Sequence, residues 1–353
     1  MSPTDNRHIK KEIKIGDLII GGIKDIAIQS MTNTDTRNVE ATIRQIKDLE
    51  ANGCDIVRIS VFDSECADNI KIFKKNTKIP LVADIHYDHR LAVLSIKNGI
   101  DKIRINPGNI GSKDKVKEVI DTAREFSVPI RVGVNVGSLP DDLYKKYGGP
   151  TVDAVREAVK TQVDTINEMG FDDIVISAKS SDTINTVEIY KMLDKEFNYP
   201  LHVGVTEAGT LINGTVKSSI ALGILLNEGI GDTIRVSLTD DPVNEVIVAK
   251  QILRAMRVRK NGINVISCPT CGRTRIDVIK LSNEIEEKTK HITKNLDIAV
   301  MGCAVNGINE SKYADIGIAG GDGKAVLFKK GVLLRTIREE NIIQELLSEI
   351  DKC

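Results

Sequence analysis

Two short stretches, KIRIN (residues 102–106) and PIRVGVN (129–135), decide the fold of this chain. In each of them apolar β-branched residues alternate with polar ones, and a period of two places the two sets on opposite faces of a β-strand. The apolar set must pack against helices, so the polar set is expected to point the other way. Six more stretches have the character of strands: 27–31, 56–60, 81–86, 173–177, 201–205 and 232–238.

Helix-like segments alternate with these strands. Examples are 39–53, 151–170 and 215–229, and each ends in glycine, as helices commonly do. Eight strand–helix units over roughly 250 residues predict a (β/α)8 TIM-type barrel, which we assign to residues 1–260. A doubly wound open sheet is the competing α/β fold, but no G-x-G-x-x-G follows the first strand.

The polar strand faces carry the candidate substrate-binding residues. Barrel enzymes place their active sites at the C-terminal ends of the strands, and two candidate carboxylates, Asp84 and Glu207, lie there among five cations. For any one cation a salt bridge at the rim is the alternative interpretation, but matched positions on several strands favour a pocket. Unpaired buried charge is costly, so this pocket is expected to bind an anion with one or two phosphates. The five cations are Arg58, Arg104, Arg131, Lys179 and Arg235.

Three cysteines near the C-terminus form the second motif. Cys268 and Cys271 lie in SCPTCGR and Cys303 in MGCAVNG, with Glu310 seven residues later. Three soft thiolates suit an iron–sulfur cluster or zinc, whereas a thioredoxin-type dithiol, the alternative, would not require the third cysteine. Spacing alone leaves the fourth ligand open between Glu310 and Cys353.

The cysteine motif belongs to a second domain. The sequence changes character near residues 261–264, and we expect residues 261–353 to form a small α/β iron–sulfur domain with helices near 278–290 and 338–350. The two remaining cysteines, Cys54 and Cys66, are interpreted as structural.

Composition excludes several classes of function. The 353-residue chain has a formal net charge of −1, no Trp and 3% aromatic residues, which argues against a nucleic-acid-binding surface. No stretch of about 18 apolar residues is present to span a bilayer, and the N-terminus lacks the apolar core of a signal peptide. Cysteines in such a chain are better explained as metal or redox ligands than as disulfides. We therefore predict a cytoplasmic protein.

Eight motifs together resemble the 4-hydroxy-3-methylbut-2-enyl diphosphate synthase family, which carries out a reductive step of the methylerythritol phosphate route to isoprenoids. The resemblance covers nearly the whole chain, in order, and matches the shorter two-domain bacterial form. The motifs are QSMTNTDT (29–36), ADIHYDHRLA (83–92), RINPGNIG (104–111), RVGVNVGSL (131–139), LHVGVTEAG (201–209), GIGDTIRVSLT (229–239), SCPTCGRT (267–274) and GCAVNG (302–307).

The resemblance implies both the cofactor and the substrate. It implies a [4Fe-4S] cluster held by Cys268, Cys271, Cys303 and Glu310, which makes Cys353 a tail residue. It further implies 2-C-methyl-D-erythritol 2,4-cyclodiphosphate as substrate, reduced ferredoxin or flavodoxin as electron donor, and a homodimer in which one subunit's cluster domain caps the partner's barrel.

Roles for the site residues follow from that chemistry. The five cations are expected to clamp the cyclic diphosphate, and Glu207 is expected to protonate the departing hydroxyl. The remaining candidates would supply hydrogen bonds or position the substrate: Asn106, Asn135, Ser237, Asp84, His86 and His202. One departure lies beside Glu310, where Ile308 and Asn309 replace the family's usual Pro-Gly and remove two backbone constraints.

Three other classes of protein compete with this interpretation. A barrel that binds a pterin or another flat anion could carry a zinc-stapled C-terminal cap, and metal content would distinguish it. A radical S-adenosylmethionine enzyme needs a three-cysteine motif near its N-terminal strand, and the sequence has none. A non-catalytic interaction protein would not require a polar lumen.

Overall fold

The computed structural model describes residues 6–259, 262–292, 294–305, 307 and 311–353. The chain divides into two compact units, Met1–Arg259 and Lys260–Cys353. Glu310, together with Asn306, Ile308 and Asn309, lies outside the described residues.

The first unit is built on eight parallel strands, each followed by a helix. The first six of these strands pair in sequence order, and the eighth pairs with both the first and the seventh. A bridge between Ile176 and Leu201 joins the two remaining edges and nearly closes the barrel. The strands are β3 (Ala27–Met31), β4 (Ile56–Ser60), β5 (Leu81–Asp84), β6 (Lys102–Ile105), β7 (Ile130–Asn135), β8 (Ile174–Lys179), β9 (His202–Val203) and β10 (Thr233–Ile234). The predicted barrel is confirmed.

The helices of this unit cover the outside of the strands. Their apolar sides pack on the outward strand residues in one continuous core. They are α1 (Val39–Ala51), α2 (Ser64–Asn76), α3 (His89–Lys97), α4 (Pro107–Ile110), α5 (Lys113–Glu125), α6 (Asp141–Tyr147), α7 (Val152–Glu168), α8 (Thr183–Glu196), α9 (Leu211–Asn227) and α10 (Pro242–Ala255).

A short hairpin that the sequence pattern did not predict closes the lower end of the barrel. Strands β1 (Ile13–Ile15) and β2 (Leu18–Ile20) pair antiparallel. Their isoleucines form a separate apolar cluster with Ala27, Ile56, Val82 and Val175, four inward residues at or near the beginnings of barrel strands. Each hairpin strand has three residues, which is too short for periodicity to reveal. The floor of the barrel is therefore apolar, and polar residues begin above it.

Two barrel strands are shorter than expected. The stretches 201–205 and 232–238 contribute two paired residues each, β9 and β10. Gly204 follows β9 with φ near +157°, and a Cβ there would lie 2.2 Å from the carbonyl oxygen of Arg235. Only glycine permits this close approach, and the strand pairing ends just before it.

The second unit is a five-stranded sheet with two helices. Strands β11 (Ile263–Ser267), β12 (Leu296–Met301) and β13 (Ile316–Gly321) are parallel, and β14 (Lys324–Lys329) and β15 (Val332–Arg338) continue the sheet antiparallel. Helices α11 (Val278–Thr289) and α12 (Ile342–Asp351) share an apolar core with it. No helix within the described ranges is long and apolar enough to cross a bilayer.

Candidate functional site

A cationic cavity of about 150 Å³ opens at the C-terminal ends of the barrel strands. Its walls come from seven of the eight strands or from the residues just after them, because inward side chains recur every second position. The structure brings together nine of the twelve barrel residues selected from the sequence, and adds Ser177 and Thr206. The lining residues are Arg58, Asp84, His86, Arg104, Arg131, Asn135, Ser177, Lys179, Thr206, Arg235 and Ser237.

Asp84 is the acidic member of this lining. It is buried, with Oδ1 3.4 Å from Arg104 Nη1 and Oδ2 3.2 Å from His86 Nε2. Burial alone raises the pKa of this carboxyl, but the charges on Arg58 and Arg104 and the hydrogen bond with His86 outweigh burial and lower the pKa. Asp84 is therefore an ionised anchor for the basic side chains and not a proton donor at neutral pH.

Arg58 has a soft partner instead of a carboxylate. Its Nε and Nη2 donate to the sulfur of Met31 at 3.0 and 2.8 Å, and thioether sulfur is a weak acceptor. Burial and the nearby Arg235 and Arg104 lower the pKa of Arg58 to about 10, against the opposing effect of Asp84. The guanidinium is charged but poorly compensated.

Arg131 and Lys179 are buried with even less compensation. Nε and Nη2 of Arg131 have no hydrogen-bond partner among the described residues, although the residue is 1% exposed. Burial, followed by neighbouring cations, holds the pKa of both side chains well below their ordinary values. Burying such groups is unfavourable without a counter-charge. An anion in the cavity would supply it.

Arg104 depends on a glycine for its position. A Cβ at Gly133 would lie 2.5 Å from Arg104 Nε, so the bare backbone of β7 leaves the space that the guanidinium occupies. Arg104 Nη2 also donates to the Gly133 carbonyl at 3.4 Å.

Arg235 lies beside a buried acid that the sequence analysis did not select. Nη2 of Arg235 is 3.6 Å from Oε1 of Glu245, on α10. Glu245 also accepts from the Ser30 hydroxyl at 2.8 Å and from the Leu238 N–H at 3.1 Å. A sequence signal existed, because Glu245 shares the buried side of α10 with Ala249 and Ile252.

The other missed residues follow the same strand parity as the selected ones. Ser177 lies two positions before Lys179, and Thr206 two after Gly204. The sequence analysis selected one hydroxyl residue, Ser237, and left these two out.

Three selected residues are not part of the cavity lining. Asn106 caps α4, its side-chain oxygen accepting from the Gly108 N–H at 3.1 Å. His202 is fully buried, and neither ring nitrogen has a partner among the described residues. Glu207 is exposed beside the lining residue Thr206 and has φ of +51°. A left-handed conformation at a non-glycine residue is uncommon and carries some strain, and such residues are enriched at functional sites.

In the second unit two of the cysteines follow neighbouring strands. β11 and β12 are parallel with Ser267 opposite Val300, so Cys268 and the Gly302–Cys303 turn leave the same edge of the sheet. The Gly302 N–H donates to the Cys268 sulfur at 3.2 Å. Backbone N–H groups that donate to sulfur are typical of iron–sulfur sites.

Cys271 completes the described set on an exposed turn. The Arg273 backbone N–H lowers the pKa of the Cys271 thiol, with a smaller contribution from Thr274. No three ligating side chains within the described ranges are already gathered around one point. Soft, partly exposed thiols at one sheet edge nevertheless fit an iron–sulfur cluster.

Sequence profiles identify both units. A profile of the GcpE TIM-barrel domain matches residues 10–250, and one of the GcpE protein C-terminal domain matches residues 264–352.

Three full-length relatives share one name, 4-hydroxy-3-methylbut-2-en-1-yl diphosphate synthase (flavodoxin). The protein of that name from Caldanaerobacter subterraneus subsp. tengcongensis is 57% identical over 98% of both chains. Those from Ruminiclostridium cellulolyticum and Thermodesulfovibrio yellowstonii are 54% and 49% identical over 98% of this chain and 98% and 99% of their own.

Two solved structures resemble the barrel. Yersinia pestis dihydropteroate synthase superposes with a TM-score of 0.51 at 13% identity, covering 70% of this chain and 99% of its own. Plasmodium falciparum HPPK-DHPS superposes at 0.50 and 12% identity, covering 70% and 50%. Such low identity shows a shared fold and gives no support to the pterin-binding alternative.

Proposed function

The chain belongs to the GcpE family of 4-hydroxy-3-methylbut-2-en-1-yl diphosphate synthases, and from this premise we propose that its cationic barrel cavity is the substrate site. The enzyme is an oxidoreductase of the methylerythritol phosphate pathway. It converts 2-C-methyl-D-erythritol 2,4-cyclodiphosphate, by reductive ring opening and loss of water, into the linear diphosphate named in its relatives. The observation that carries the proposal is the group of buried, poorly compensated cations at the strand ends.

The diphosphate is the part of the substrate that these cations suit. Arg131 and Lys179 are buried, and their N–H groups are available to donate to a ligand. The other three cations have weak or distant partners: Arg58, Arg104 and Arg235. Each charge-assisted hydrogen bond to a phosphate oxygen contributes roughly 1.5–3 kcal/mol. Asn135 and Ser237, at the same rim, add neutral hydrogen bonds.

The clamp also favours the chemical step. Opening the ring converts a cyclic diphosphate into a diphosphate monoester with one more ionisable oxygen. Fixed positive charge around that oxygen stabilises the transition state more than the ground state. Orientation contributes as well, because a substrate held at several oxygens presents one carbon consistently.

Glu207 remains our proposed acid for the departing hydroxyl. Its strained backbone beside Thr206 supports a functional role. Asp84 is unsuited to this step because it is held ionised, and together with His86 it would orient Arg104. Asn106 would act through the loop that it caps, and His202 through the polar layer beneath the cavity.

The family is iron–sulfur dependent, and we propose a [4Fe-4S] cluster on Cys268, Cys271, Cys303 and Glu310. The adjoining strand ends and the Gly302 N–H at the Cys268 sulfur support the three cysteines. Glu310, outside the described residues, is proposed from the resemblance alone. When bound, the cluster supplies single electrons and an iron with an exchangeable ligand.

Reduced flavodoxin is the proposed electron donor, as named for the relatives, with ferredoxin as the chemical alternative, and we place the reaction in the cytoplasm with that donor. We also propose a homodimer. An apolar row on α9 (Ile212, Val216 and Ile220) is exposed at four-residue spacing and supports association through this helix.

The test is the electron paramagnetic resonance spectrum of anaerobically purified, dithionite-reduced protein, recorded with and without the cyclic diphosphate. We expect a cluster signal that changes when the substrate is added. The matched sample is Arg131→Met, which should keep the signal and respond only at about 100-fold higher substrate concentration. Bound zinc with no cluster signal, or a wild-type signal indifferent to substrate, would contradict the proposal.

A further inference from the structure

A layer of buried polar side chains lies between the apolar floor of the barrel and the substrate cavity. Lys102 is the first residue of β6, two positions before Arg104, so both side chains point into the lumen. Lys102 pairs across the sheet with Val82, a member of the apolar floor. It does not line the cavity, and our sequence analysis did not select it.

Lys102 has no partner within this layer. Its exposed fraction is 0%, and its Nζ has no hydrogen-bond partner among the described residues. Lys10, another buried lysine of the same unit, does have partners: its Nζ donates to the Asp194 and Phe197 carbonyls at 2.6 and 2.9 Å. The isolation of Lys102 is therefore particular to its position.

The ionisable groups around Lys102 are all basic. Arg58 on β4 and Arg131 on β7 lower its pKa after the larger effect of burial, and no carboxylate opposes them. His202 on β9 is buried in the same layer, and burial, followed by Arg131 and Lys179, holds its pKa well below the ordinary value. Gln29 on β3 and Thr233 on β10 are the neutral polar groups of the layer, each buried and also unpartnered. The charge on Asp84 raises the pKa of Arg58 and of Arg131, but it does not contribute to the pKa of Lys102.

Charge balance then limits the protonation of Lys102. With Lys102 included, six cationic side chains occupy the described lumen, and two carboxylates, Asp84 and Glu245, compensate them. Without Lys102, five cations exceed the two carboxylates by three charges. A cyclic diphosphate carries one ionisable oxygen on each phosphorus, so its binding reduces that excess from three to one. Another positive charge in the empty barrel would have no counter-ion, and a buried lysine avoids that cost by losing its proton.

We propose that Lys102 is a neutral amine in the empty barrel and takes up a proton from solvent when the cyclic diphosphate enters the cavity above it. This inference rests on the proposed function of that cavity. The negative ligand makes the ammonium form less unfavourable, because it removes most of the excess positive charge around the amine. Lys102 is a proton-accepting residue and not a catalytic one, because its side chain does not line the cavity.

The first test observes the amine directly. Holoenzyme labelled with nitrogen-15 in lysine is studied by nuclear magnetic resonance at neutral pH, and the Lys102 signal is identified by its loss in Lys102→Met. We expect a neutral-amine signal without ligand and an ammonium signal at saturating cyclic diphosphate. An ammonium signal in the empty protein, or a neutral signal that persists at saturation, overturns the inference.

The second test counts protons. Calorimetric titration with the cyclic diphosphate, in buffers of different ionisation enthalpy, gives the number of protons taken up on binding. Wild type should take up about one proton more than Lys102→Met. Its affinity should therefore fall more steeply as the pH rises, by up to about tenfold per unit. Lys250→Met is the control, because Lys250 is a half-buried lysine on α10 that donates to the Asn52 carbonyl.

The outcomes separate the two proposals. Equal proton uptake in wild type and Lys102→Met, with binding retained, overturns the role of Lys102 and leaves the substrate site intact. If wild-type holoenzyme does not bind the cyclic diphosphate, the proposed function fails. The resonance of the empty protein still decides whether Lys102 is neutral there.

Discussion

The barrel cavity and the cysteine turns hold their functional groups in different ways. Cavity side chains project from paired strands, so the sheet register fixes them: Arg104 lies opposite both Asp84 and Arg131. The cysteines lie on turns after β11 and β12, and only Cys268 is held by a described contact from the other turn. We infer that the barrel is preorganised for its anion, whereas the cysteine site is completed by the group that it binds.

Removing a cysteine tests whether the second site depends on the group that it binds. We expect Cys303→Ser to lose the cluster and to lower kcat at least 1,000-fold, because no other route for electrons exists in the proposed mechanism. Substrate affinity should change little, since the barrel holds its own ligand groups. Iron content, visible absorption and calorimetric binding of the cyclic diphosphate measure the three effects. Cys54→Ala, which removes a buried barrel thiol, is the control for cluster content.

Loss of substrate binding in Cys303→Ser, with the barrel still folded, would show that the barrel cavity does not bind its ligand independently of the cysteine site. It would mean that the cavity is assembled only when the second unit carries its cluster.

Removing a buried cation tests whether the barrel cavity is preorganised for its anion. Arg131→Met should weaken substrate binding about 100-fold, from the loss of one or two charge-assisted hydrogen bonds. The same variant should raise the thermal midpoint, because it replaces an unpartnered buried guanidinium with an apolar side chain. Calorimetric titration and thermal unfolding measure the two changes. A lower midpoint would show that Arg131 has structural partners that outweigh its desolvation.

A single added methyl group tests how closely the strand register sets the cavity. Gly133→Ala places a Cβ 2.5 Å from Arg104 Nε, and Arg104 must move away from its position. We expect KM to rise about tenfold while cluster content is unchanged. Gly223→Ala is the matched control on α9, where the nearest atom would be at 3.8 Å. Equal KM values for the two variants would contradict a cavity fixed by strand register.

The same contrast explains what the sequence could predict. Strand parity selected nine of the eleven lining residues, because the two-residue period links position in the chain to direction in the lumen. The parity that selected Arg104 also places Lys102 inside, and its isolation depends on which groups the other strands bring near, which no local pattern records. Glu245 reaches the site from a helix. The strand residues that a helix side chain meets depend on tertiary packing, which a local pattern does not record. The hairpin floor was missed because three-residue strands carry too little pattern.

The smallest effect concerns the acid that organises the cations. The folded-state pKa of Asp84 lies below its unfolded value of about 3.9. Its stabilising contribution is therefore fully present above that pH and is lost as the pH falls towards the folded-state pKa. Asp84→Asn should be less stable than wild type by about 1–3 kcal/mol at pH 7. This difference should shrink as the pH is lowered below about 4, and denaturant unfolding at several pH values measures it.

Asp114→Asn, on the exposed first turn of α5, is the control for removing a carboxylate from the same unit. A stability difference between Asp84→Asn and wild type that stays constant from pH 7 to pH 3.5 would mean that charge is not what Asp84 contributes. Its role would then be the hydrogen bonds to Arg104 and His86, which asparagine can partly keep. In that case the cations would be placed by strand register alone, and the contrast with the cysteine turns would be stronger than proposed.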